Sequence, residues 1–372
     1  MKKGKDNIRV VYIGRYKDDE ILSGPEKTAK RIYNEHIKQN DSAFIRYFFD
    51  GSQYGFFKKL FGKEIENVNG SEVFTLGIFR IIPLLFKLKP DIIHFITFER
   101  FGIIALFYNL ISRVKIIYNA HGIIVYENSE LKSVSGFYKL KDKFCEKLYM
   151  KYSDKIIFMS GNSVEIAEKY FKIKNDKFVI LANGIDEQFN KISRHKNNSG
   201  SLKIVFISGS ELHESGLNFL KSVIPLINNP VDLYMIGSVI DPSLDKLNKK
   251  VKIHFVNIMD SSKLAEFYSD KDIFLSLNKY DTFSISSIEA MAAGLITIVT
   301  SDTGMSRYIT DGENGYIIEY GNNLQISAII DNLYKNPEFI EKISAESKKI
   351  YEMLSWEDVY ETYKNVYSRL LK

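Results

Sequence analysis

Short apolar runs alternate with longer amphipathic stretches along most of this chain of 372 residues. The apolar runs have the length of buried strands, and the stretches between them repeat apolar residues at the three- to four-residue spacing of a helix. Strands that alternate with helices in this way favour a parallel sheet whose faces the helices cover. The pattern therefore predicts an α/β fold.

The predicted strands fall into two groups of similar size. The first group is predicted at residues 9–13, 43–49, 92–95, 115–118, 155–159 and 178–181. The second group is predicted at residues 203–208, 232–236, 252–256, 273–277, 296–299 and 316–318. A polar segment rich in Asn, Ser and Gly at residues 191–201 separates the groups and is typical of a linker. We therefore expect a first domain at 1–190, a second at 201–355 and a closing helix at 356–372.

Composition and charge narrow the class of protein. Hydrophobic residues make up 45% of the chain and charged residues 26%, as in an ordinary globular protein. The net charge of +5 permits attraction to anionic substrates or lipids but is too small to indicate nucleic-acid binding. The single cysteine, Cys145, excludes an internal disulfide and a cysteine-based metal site. Because the sequence shows no signal-peptide pattern and no apolar run near ~18 residues, we expect a cytoplasmic protein.

The most informative segment is DTFSISSIEAMAAG, residues 281–294, which lies between two apolar runs. It predicts a turn followed by a short helix that ends at Gly294. The first turn of a helix has free backbone N–H groups and the positive end of the helix dipole, which together suit a phosphate. We expect that phosphate to be held by the N–H groups of Phe283, Ser284, Ile285 and Ser286.

Two carboxylates in this segment, Asp281 and Glu289, are eight positions apart. At ~1.5 Å per residue along a helix, roughly 10 Å separates them. That distance fits a diphosphate with a sugar at one end and a ribose at the other, and carboxylates accept hydrogen bonds from sugar hydroxyls. The pair therefore suits a nucleoside-diphosphate sugar.

The spacing D-x7-E, followed by AMAAG, resembles the E-x7-E motif of glycosyltransferase family 4, the retaining GT-B enzymes. Further stretches resemble motifs of that family in the family's own order, namely Gly24 in the first loop, His121-Gly122 at a strand end, Asn183-Gly184-Ile185-Asp186, and Asp311-Gly312-Glu313-Asn314-Gly315. The resemblance covers nearly the whole chain. It implies two Rossmann-like domains with a cleft between them, and a last helix that crosses back to the first domain.

The resemblance also implies roles for single residues. Glu289 would bind the ribose of the donor, while Asp281, where the family usually has Glu, and His121 would contact the transferred sugar as the catalytic residues. The other donor-binding positions that it implies are Gly24, Ser210, Ser215, Ile258, Phe283, Ser284, Ile285 and Ser286. In this type of enzyme the leaving phosphate would deprotonate the acceptor, so no side chain is assigned as the general base.

One stretch departs from the family pattern. The family has G-R-x4-K-G at the start of the second domain, where Arg and Lys hold the donor diphosphate, but residues 209–216 of this chain have Ser210 and Ser215 at those positions. Fixed positive charges stabilise a departing nucleoside diphosphate by several kcal/mol. A helix N-terminus supplies only about half an elementary charge. Lys279 and Arg307 are therefore the candidates to replace the missing cations.

The sequence gives no support for a metal cofactor. Asp270-Lys271-Asp272 spells D-x-D, the metal motif of the other large glycosyltransferase fold, but it comes at the amino end of a predicted buried strand, where a solvated turn is expected. No cluster of His, Asp or Glu has the spacing of metal ligands. We therefore expect neither a metal requirement nor another cofactor.

Two stretches mix aromatic and basic residues, Phe56–Lys63 and, less densely, Phe79–Lys89. Basic amphipathic stretches of this kind can lie on anionic membranes, which would make the protein a peripheral one at the inner face of the membrane. The other interpretation is a helix that turns its aromatic face to the core and its lysines to solvent.

We expect a retaining glycosyltransferase of the hexosyltransferase type. It would move a sugar from a nucleoside-diphosphate donor, expected to be a UDP-sugar, to a hydroxyl on a glycan or on a lipid-linked or protein-linked acceptor in surface polysaccharide or glycoconjugate synthesis. The alternative, favoured by Ser210 and Ser215, is a GT-B protein that has lost catalysis and stabilises a partner glycosyltransferase as its subunit. The presence of Asp281, Glu289 and His121 argues against that alternative. Epimerisation of a nucleotide sugar on the same fold is a third possibility.

Overall fold

The computed structural model describes residues 8–17, 21–40, 42–48, 54–131, 135–173, 175–195, 197, 199–208, 214–238 and 240–372. The chain forms two compact units. Unit 1 comprises Met1–Ala182 together with the closing segment Trp356–Lys372, and unit 2 comprises Asn183–Ser355. Within the described part of the chain, no helix is long and apolar enough to cross a membrane.

The division between the units falls before the predicted linker at residues 191–201. That segment belongs to unit 2, where Arg194 donates a hydrogen bond from Nη1 to the carbonyl of Gly294. A second guanidinium nitrogen of Arg194, Nη2, lies 3.7 Å from Oδ1 of Asp272. Arg194 is therefore packed against unit 2, although the polar composition of residues 191–201 is typical of a flexible linker.

Unit 1 is built on an eight-stranded sheet. Its strands are β1 (Val10–Ile13), β2 (Ser42–Tyr47), β3 (Lys63–Val68), β4 (Ser71–Leu76), β5 (Ile92–Phe95), β6 (Lys115–Ala120), β7 (Lys155–Phe158) and β8 (Phe178–Ile180). Its helices are α1 (Gly24–Ile37), α2 (Phe56–Phe61), α3 (Ile81–Leu88), α4 (Ile103–Ser112), α5 (Ile124–Tyr126), α6 (Gly136–Tyr152), α7 (Gly161–Tyr170) and α15 (Trp356–Leu370). The strand order is β3-β4-β2-β1-β5-β6-β7-β8; β3 and β4 pair antiparallel, and the other neighbours pair parallel.

Unit 2 is built on a six-stranded parallel sheet. Its strands are β9 (Leu202–Ser208), β10 (Val231–Gly237), β11 (Val251–Val256), β12 (Ile273–Ser276), β13 (Ile296–Thr300) and β14 (Gly315–Ile318). Its helices are α8 (Glu187–Lys191), α9 (Glu214–Val223), α10 (Ser261–Tyr268), α11 (Ile285–Ala292), α12 (Asn323–Lys335), α13 (Pro337–Lys348) and α14 (Ile350–Leu354). The order β11-β10-β9-β12-β13-β14 is that of a doubly wound Rossmann sheet.

All the predicted strands are present, and their ends lie within two residues of the predicted ones. The hairpin of β3 and β4 was not predicted. It turns at Asn69 and Gly70, which adopt the positive φ angles of 51° and 84° that a tight hairpin turn needs. The interpretation of Phe56–Lys63 as a core-facing helix is wrong, because no residue of α2 is buried.

The closing helix α15 is joined to unit 1 by a buried chain of hydrogen bonds. The hydroxyl of Tyr367 lies 3.1 Å from that of Tyr12 on β1 and 2.9 Å from Nδ1 of His94 on β5. Nε2 of His94 lies 2.9 Å from Oδ1 of Asn119 on β6, and Nδ2 of Asn119 donates to the hydroxyl of Tyr363 at 3.0 Å. Because each of these polar groups is out of water, the helix satisfies groups on three central strands that would otherwise be costly to bury.

Burial also sets the ionisation of several groups in unit 1. It lowers the pKa of His94 to about 3 and that of His36 to about 4. Burial has the opposite effect on a carboxyl group, and it raises the pKa of Glu146 on α6 to about 8. The histidines are therefore neutral and Glu146 is protonated at a pH where the same groups in an unfolded chain carry charge.

These shifts predict that unit 1 is most stable near pH 6.5. Between about pH 4.5 and 6.5 the unfolded chain binds histidine protons that the folded unit does not, so stability rises with pH by up to about 1.4 kcal/mol per pH unit for each histidine. Glu146 opposes this rise in stability from pH 4.5 upward, because its carboxyl group keeps its proton in the folded state and loses it in the unfolded chain. Above pH 6.5 only the effect of Glu146 remains, so stability declines towards pH 8. The measurement is the urea midpoint of unit 1 against pH, followed by the fluorescence of the single tryptophan, Trp356.

A matched control for this pH dependence is His195→Gln, which removes a histidine from unit 2 and should leave the profile of unit 1 unchanged. A urea midpoint that stays level from pH 4.5 to 6.5 would contradict the prediction.

Candidate functional site

The doubly wound order of unit 2 places a crevice where the chain changes direction across the sheet. From β9 the chain proceeds to β10 and β11 on one side, and later to β12, β13 and β14 on the other. The loops that follow β9 and β12 therefore leave neighbouring strands in opposite directions, which is where open α/β sheets bind ligands. The loop after β9, with Ser210, lies outside the described residues. The loop after β12 contains Asp281.

The carboxylate of Asp281 shapes this loop. Its Oδ1 accepts hydrogen bonds from the backbone N–H groups of Phe283 at 3.1 Å and Ser284 at 3.0 Å. Two of the four N–H groups predicted to hold phosphate are thus already bound within the loop. The N–H groups of Ile285 and Ser286, in the first turn of α11, have no hydrogen-bond partner among the described residues.

Ser284 precedes α11 in a left-handed conformation, with φ at 61° and ψ at 78°. Its hydroxyl lies 2.7 Å from the hydroxyl of Ser287 and 3.4 Å from that of Ser276 at the end of β12. A non-glycine residue in this region is strained, and such strain persists where the surroundings fix it. This conformation turns the chain sharply from strand to helix, so that α11 begins near the carboxyl end of β12. Gly294, with φ at 84°, ends the helix as predicted.

The loop after β13 packs against the Asp281 loop. The N–H of Gly304 donates to the carbonyl of Asp281 at 2.9 Å, and the rings of Phe283 and Tyr308 meet edge to face at 6.0 Å. Arg307 is exposed on this second loop, with its guanidinium carbon 4.8 Å from the centre of the Tyr308 ring. It forms no ion pair with the described residues. The contribution of Arg307 to a cationic edge of the site stays a prediction.

Lys279 lies beside the position of a missing cation. Its backbone N–H donates to Oγ of Ser215 in the first turn of α9 at 3.1 Å. The two segments approach closely, because a side chain at Gly216 would bring a Cβ within 2.6 Å of Oδ1 of Asn278. The Lys279 side chain is exposed and forms no ion pair in the described part of the chain. The backbone of Lys279 therefore lies beside the Ser215 side chain, and the lysine side chain extends from that point.

Glu289, two helical turns into α11, is only 4% exposed. It lies near Tyr268 of α10, whose pKa is raised well above its ordinary value by burial and further by the negative charge of Glu289. The carboxylate is thus covered by the surrounding protein. Its predicted contact with ribose stays a prediction.

Ile258 follows β11 and is half exposed, at the rim of an open depression of about 600 Å³ at the carboxyl end of that strand. The depression is lined by Phe255, Val256, Asn257, Ile258, Met259, Lys263, Glu266 and Phe267. An apolar wall with two charged side chains suits a flat ring that also carries polar edges.

His121 lies in unit 1, directly after β6. Its Nε2 donates to the carbonyl of Ile96, which follows β5, at 2.9 Å. Burial lowers the pKa of His121 to about 4, although the bond to Ile96 opposes this. The ring is therefore neutral near pH 7, and because Nε2 carries the proton, Nδ1 is a hydrogen-bond acceptor.

Sequence reasoning missed an acidic residue beside His121. A Cβ at Gly122 would lie 1.8 Å from Oε1 of Glu127, so the Glu127 carboxyl group packs directly on the backbone of Gly122. The helix that carries Glu127 begins at α5, where both oxygens of Glu146 accept backbone N–H groups, from Ile124 and Val125, at 2.9 Å. The only signal in the sequence was an acid five residues after the His-Gly pair.

Gly24 lies at the start of α1, which has a capping box formed by Ser23 and Glu26. The N–H of Ser23 donates to Oε2 of Glu26 at 3.0 Å, and Lys17 pairs with Oε1 at 3.0 Å. Burial raises the pKa of Glu26, but its bonds to Ser23 and Lys17 outweigh this and lower it. A carboxylate already occupies this helix start, which disfavours an anion at Gly24. Among the described residues no group of three or more His, Cys, Asp or Glu side chains is placed to hold a metal ion.

Two family models match the chain. The model for glycosyl transferases group 1 matches residues 188–350, and the model for glycosyltransferase family 4 matches residues 66–189. Together the two matches cover most of both units.

Individual relatives are distant. A capsular polysaccharide biosynthesis glycosyltransferase, CapM of Staphylococcus aureus, is 27% identical over 80% of this chain and 81% of its own length. An uncharacterized glycosyltransferase of Methanocaldococcus jannaschii is 24% identical over 58% of this chain, and the match spans 60% of that protein. The structure of Anabaena HepE in complex with UDP and glucose superposes with a TM-score of 0.70 at 14% identity, over 98% of this chain and 100% of that one. This last likeness shows that the fold is GT-B.

The bonds from Asp281 predict the behaviour of its loop. Asp281→Ala should raise the hydrogen-exchange rates of the Phe283 and Ser284 amides by at least about fivefold, because each loses a hydrogen bond worth ~1 kcal/mol or more. Asp281→Asn keeps an oxygen acceptor and should preserve most of the protection. Exchange measured by NMR or mass spectrometry tests both variants, and equal rates in Asp281→Ala and wild type would show that the bonds do not hold the loop.

Proposed function

The chain belongs to the glycosyltransferases of group 1 and family 4, and on that premise we propose that it transfers a sugar from a UDP-sugar to an acceptor hydroxyl with retention of anomeric configuration. The bond from the sugar C1 to the β-phosphate oxygen breaks, and a bond from C1 to the acceptor oxygen forms on the same face. The acceptor proton goes to the departing phosphate, and UDP is released. No side chain is needed as a general base.

The observation that carries the proposal is the pair of N–H groups of Ile285 and Ser286. They are the first two of α11, they are without a partner in the described part of the chain, and they lie at the carboxyl edge where the sheet order reverses. Backbone donors fixed before the substrate arrives stabilise charge that develops on a leaving phosphate, since they need no reorganisation during the reaction. Asp281 supports this arrangement by holding the two preceding N–H groups away from the phosphate.

Lys279 supplies the positive charge that the family places at residue 215. The hydrogen bond from the Lys279 N–H to the Ser215 hydroxyl supports the choice of Lys279. The loop of Arg307 contacts the Asp281 loop instead, through Gly304 and the Phe283–Tyr308 contact. A lysine that starts from residue 279 can reach the diphosphate on the α11 N-terminus across the same crevice. The cation is thus kept in the site although its position in the sequence has changed.

We propose three further contacts to the donor. The uracil base is proposed to occupy the depression at Ile258, and Glu289 is proposed to accept hydrogen bonds from the ribose hydroxyls. His121 is neutral, so it contributes hydrogen bonds and no charge to the transferred sugar. The proposed acceptor is a glycan or glycoconjugate at the inner face of the membrane, and no metal is assigned a role.

The first test is donor turnover. Purified protein with a panel of UDP-, GDP- and ADP-sugars should release free UDP from one UDP-sugar, even if water is the acceptor, and NMR of the product should show the α-anomer from an α-linked donor. A β-anomer at first release would overturn retention. Conversion of the donor to another nucleotide sugar without release of UDP would identify an epimerase instead.

Calorimetry separates the enzyme from the alternative of an inactive subunit, which Ser210 and Ser215 favour. Binding of UDP with turnover supports the proposal. Binding of neither UDP, GDP nor ADP, together with no turnover, would favour a stabilising subunit of a partner glycosyltransferase.

The charge assigned to Lys279 is tested by rescue. Lys279→Met should weaken UDP binding by about tenfold, because an exposed cation near a diphosphate contributes ~1 to 1.5 kcal/mol. Ser215→Lys introduced into that variant should restore most of the affinity, since it places an ammonium group at the family position. Titration calorimetry at two salt concentrations measures the effect.

The matched control for Lys279 is Arg307→Met, which removes an exposed cation from the neighbouring loop and should change UDP affinity by less than about threefold. A larger loss in Arg307→Met than in Lys279→Met would assign the charge to Arg307 instead.

A further inference from the structure

The geometry points to a membrane-docking face on unit 1, formed by the outer sides of α4 and α6 and continued by α3 and α2. We propose that this face binds the surface of a bilayer that contains anionic lipid, with its apolar side chains inserted among the lipid headgroups. The inference deepens the proposed function, on which its one consequence for substrate rests: the acceptor would be an amphiphile held in that bilayer.

Helix α4 contributes an apolar ridge. Phe107, Leu110 and Ile111 are 59%, 69% and 71% exposed, and their spacing of three and four residues puts them on one side of the helix. The opposite side is buried in the core of unit 1 through Ala105 and Tyr108. Helix α4 is therefore packed against the core on one side and exposes a second apolar side to solvent.

Helix α6 packs beside α4 and repeats the pattern. Phe137, Leu140 and Phe144 are each more than half exposed, at a spacing that again gives one side of a helix. The buried side of α6 contains Cys145 and Tyr149. Two adjacent helices thus present large apolar side chains to solvent, whereas a soluble monomer rarely exposes a contiguous patch of this kind.

The face extends through α3 to α2. Phe86 of α3 meets Tyr108 of α4 edge to face at 5.0 Å. Before α3, Phe79 stacks on Phe61 at 5.1 Å, and Phe61 lies 5.2 Å from Phe57. The aromatic residues of α2 and α3 are therefore continuous with the ridge on α4, and these are the stretches in which the sequence mixes aromatic and basic residues.

Charge identifies the occupant of the face. The helices and the turn Ile78–Arg80 that form it carry Lys58, Lys59, Arg80, Lys87, Lys139, Lys141, Lys143, Lys147 and Lys151. Their acidic residues are Asp142 and Glu146, and both are buried, the first in an ion pair with Arg100. The solvent-facing charge of these elements is thus positive, although Lys58 pairs with Glu64 of β3.

Apolar side chains surrounded by lysines match the interface of an anionic bilayer, where the aliphatic and aromatic groups enter the headgroup region and the lysines meet lipid phosphates. A second copy of the chain fits less well. A twofold contact through this face would bring the same lysines together, and no solvent-facing acidic residue on these helices could pair with them.

The test is sedimentation of the full-length protein with vesicles of phosphatidylcholine alone or mixed with phosphatidylglycerol, without nucleotide. The protein should bind the mixed vesicles, and Leu110→Glu combined with Ile111→Glu should lower the partition coefficient by at least about tenfold. The matched control combines Leu324→Glu with Met353→Glu, which replaces two equally exposed apolar residues of unit 2 and should leave binding unchanged.

A second measurement reports insertion without weakening the face. Phe107→Trp adds an exposed indole to a chain whose single tryptophan, Trp356, is buried. Its emission should shift to the blue with mixed vesicles and be quenched by brominated lipid, while wild-type emission stays constant. Binding at low salt that is lost completely in 0.5 M salt, with no blue shift, would mean that lysines alone attract the vesicle and would overturn insertion.

Absence of vesicle binding by the wild type, or equal binding by the double glutamate variant, would overturn the proposal. Sedimentation velocity then tests for a dimer that the same two glutamates dissociate, which would make the face a contact between copies. Since vesicle binding is measured without donor or acceptor, failure of this proposal is distinct from failure of the proposed sugar transfer.

Discussion

The hydrogen bonds of Asp281 are the interaction on which the candidate site depends. One carboxylate oxygen accepts two N–H groups of its own loop, and the carbonyl of the same residue accepts an N–H from the loop after the next strand. Asp281 thus joins the turn before α11 to the loop that carries Arg307. The strained turn at Ser284 persists because these bonds hold the chain before it, and the contact between the Ser284 and Ser287 hydroxyls holds the helix after it. The N–H groups of Ile285 and Ser286, which have no partner among the described residues, come directly after this turn.

The core of unit 1 contains a buried network of polar groups that carry no charge. In unit 1, neutral histidines, tyrosines and an asparagine form a connected network around the central strands, and a protonated carboxyl group caps α5. Neutral groups avoid the large cost of bringing a charge out of water, so the network can lie in the middle of the sheet. In unit 2 the side chains of Lys279 and Arg307 are exposed to solvent, where a charge is less costly than in the interior.

The sequence predicted the central sheets, because parallel strands buried on both faces give continuous apolar runs. It also predicted the turn and short helix of residues 281–294, because that segment lies between two such runs. It did not reveal the β3–β4 hairpin, which is a partly exposed edge without such a run. The choice between Lys279 and Arg307 needed three dimensions, since Ser215 and Lys279 are 64 positions apart and no periodicity relates them. The packing of Glu127 on Gly122 was equally invisible, because spacing along a chain does not report which side chain folds back onto its own backbone.

The closing helix has a consequence for how the protein is made. The tyrosines of α15 complete the hydrogen bonds of strands β1, β5 and β6, yet the ribosome adds them only after the whole of unit 2 has been synthesised. The first sheet to emerge must therefore wait with polar groups on its central strands unmatched, while the later unit has all of its strands and can fold at once. During translation, the half of the molecule that begins the chain is the half that finishes last.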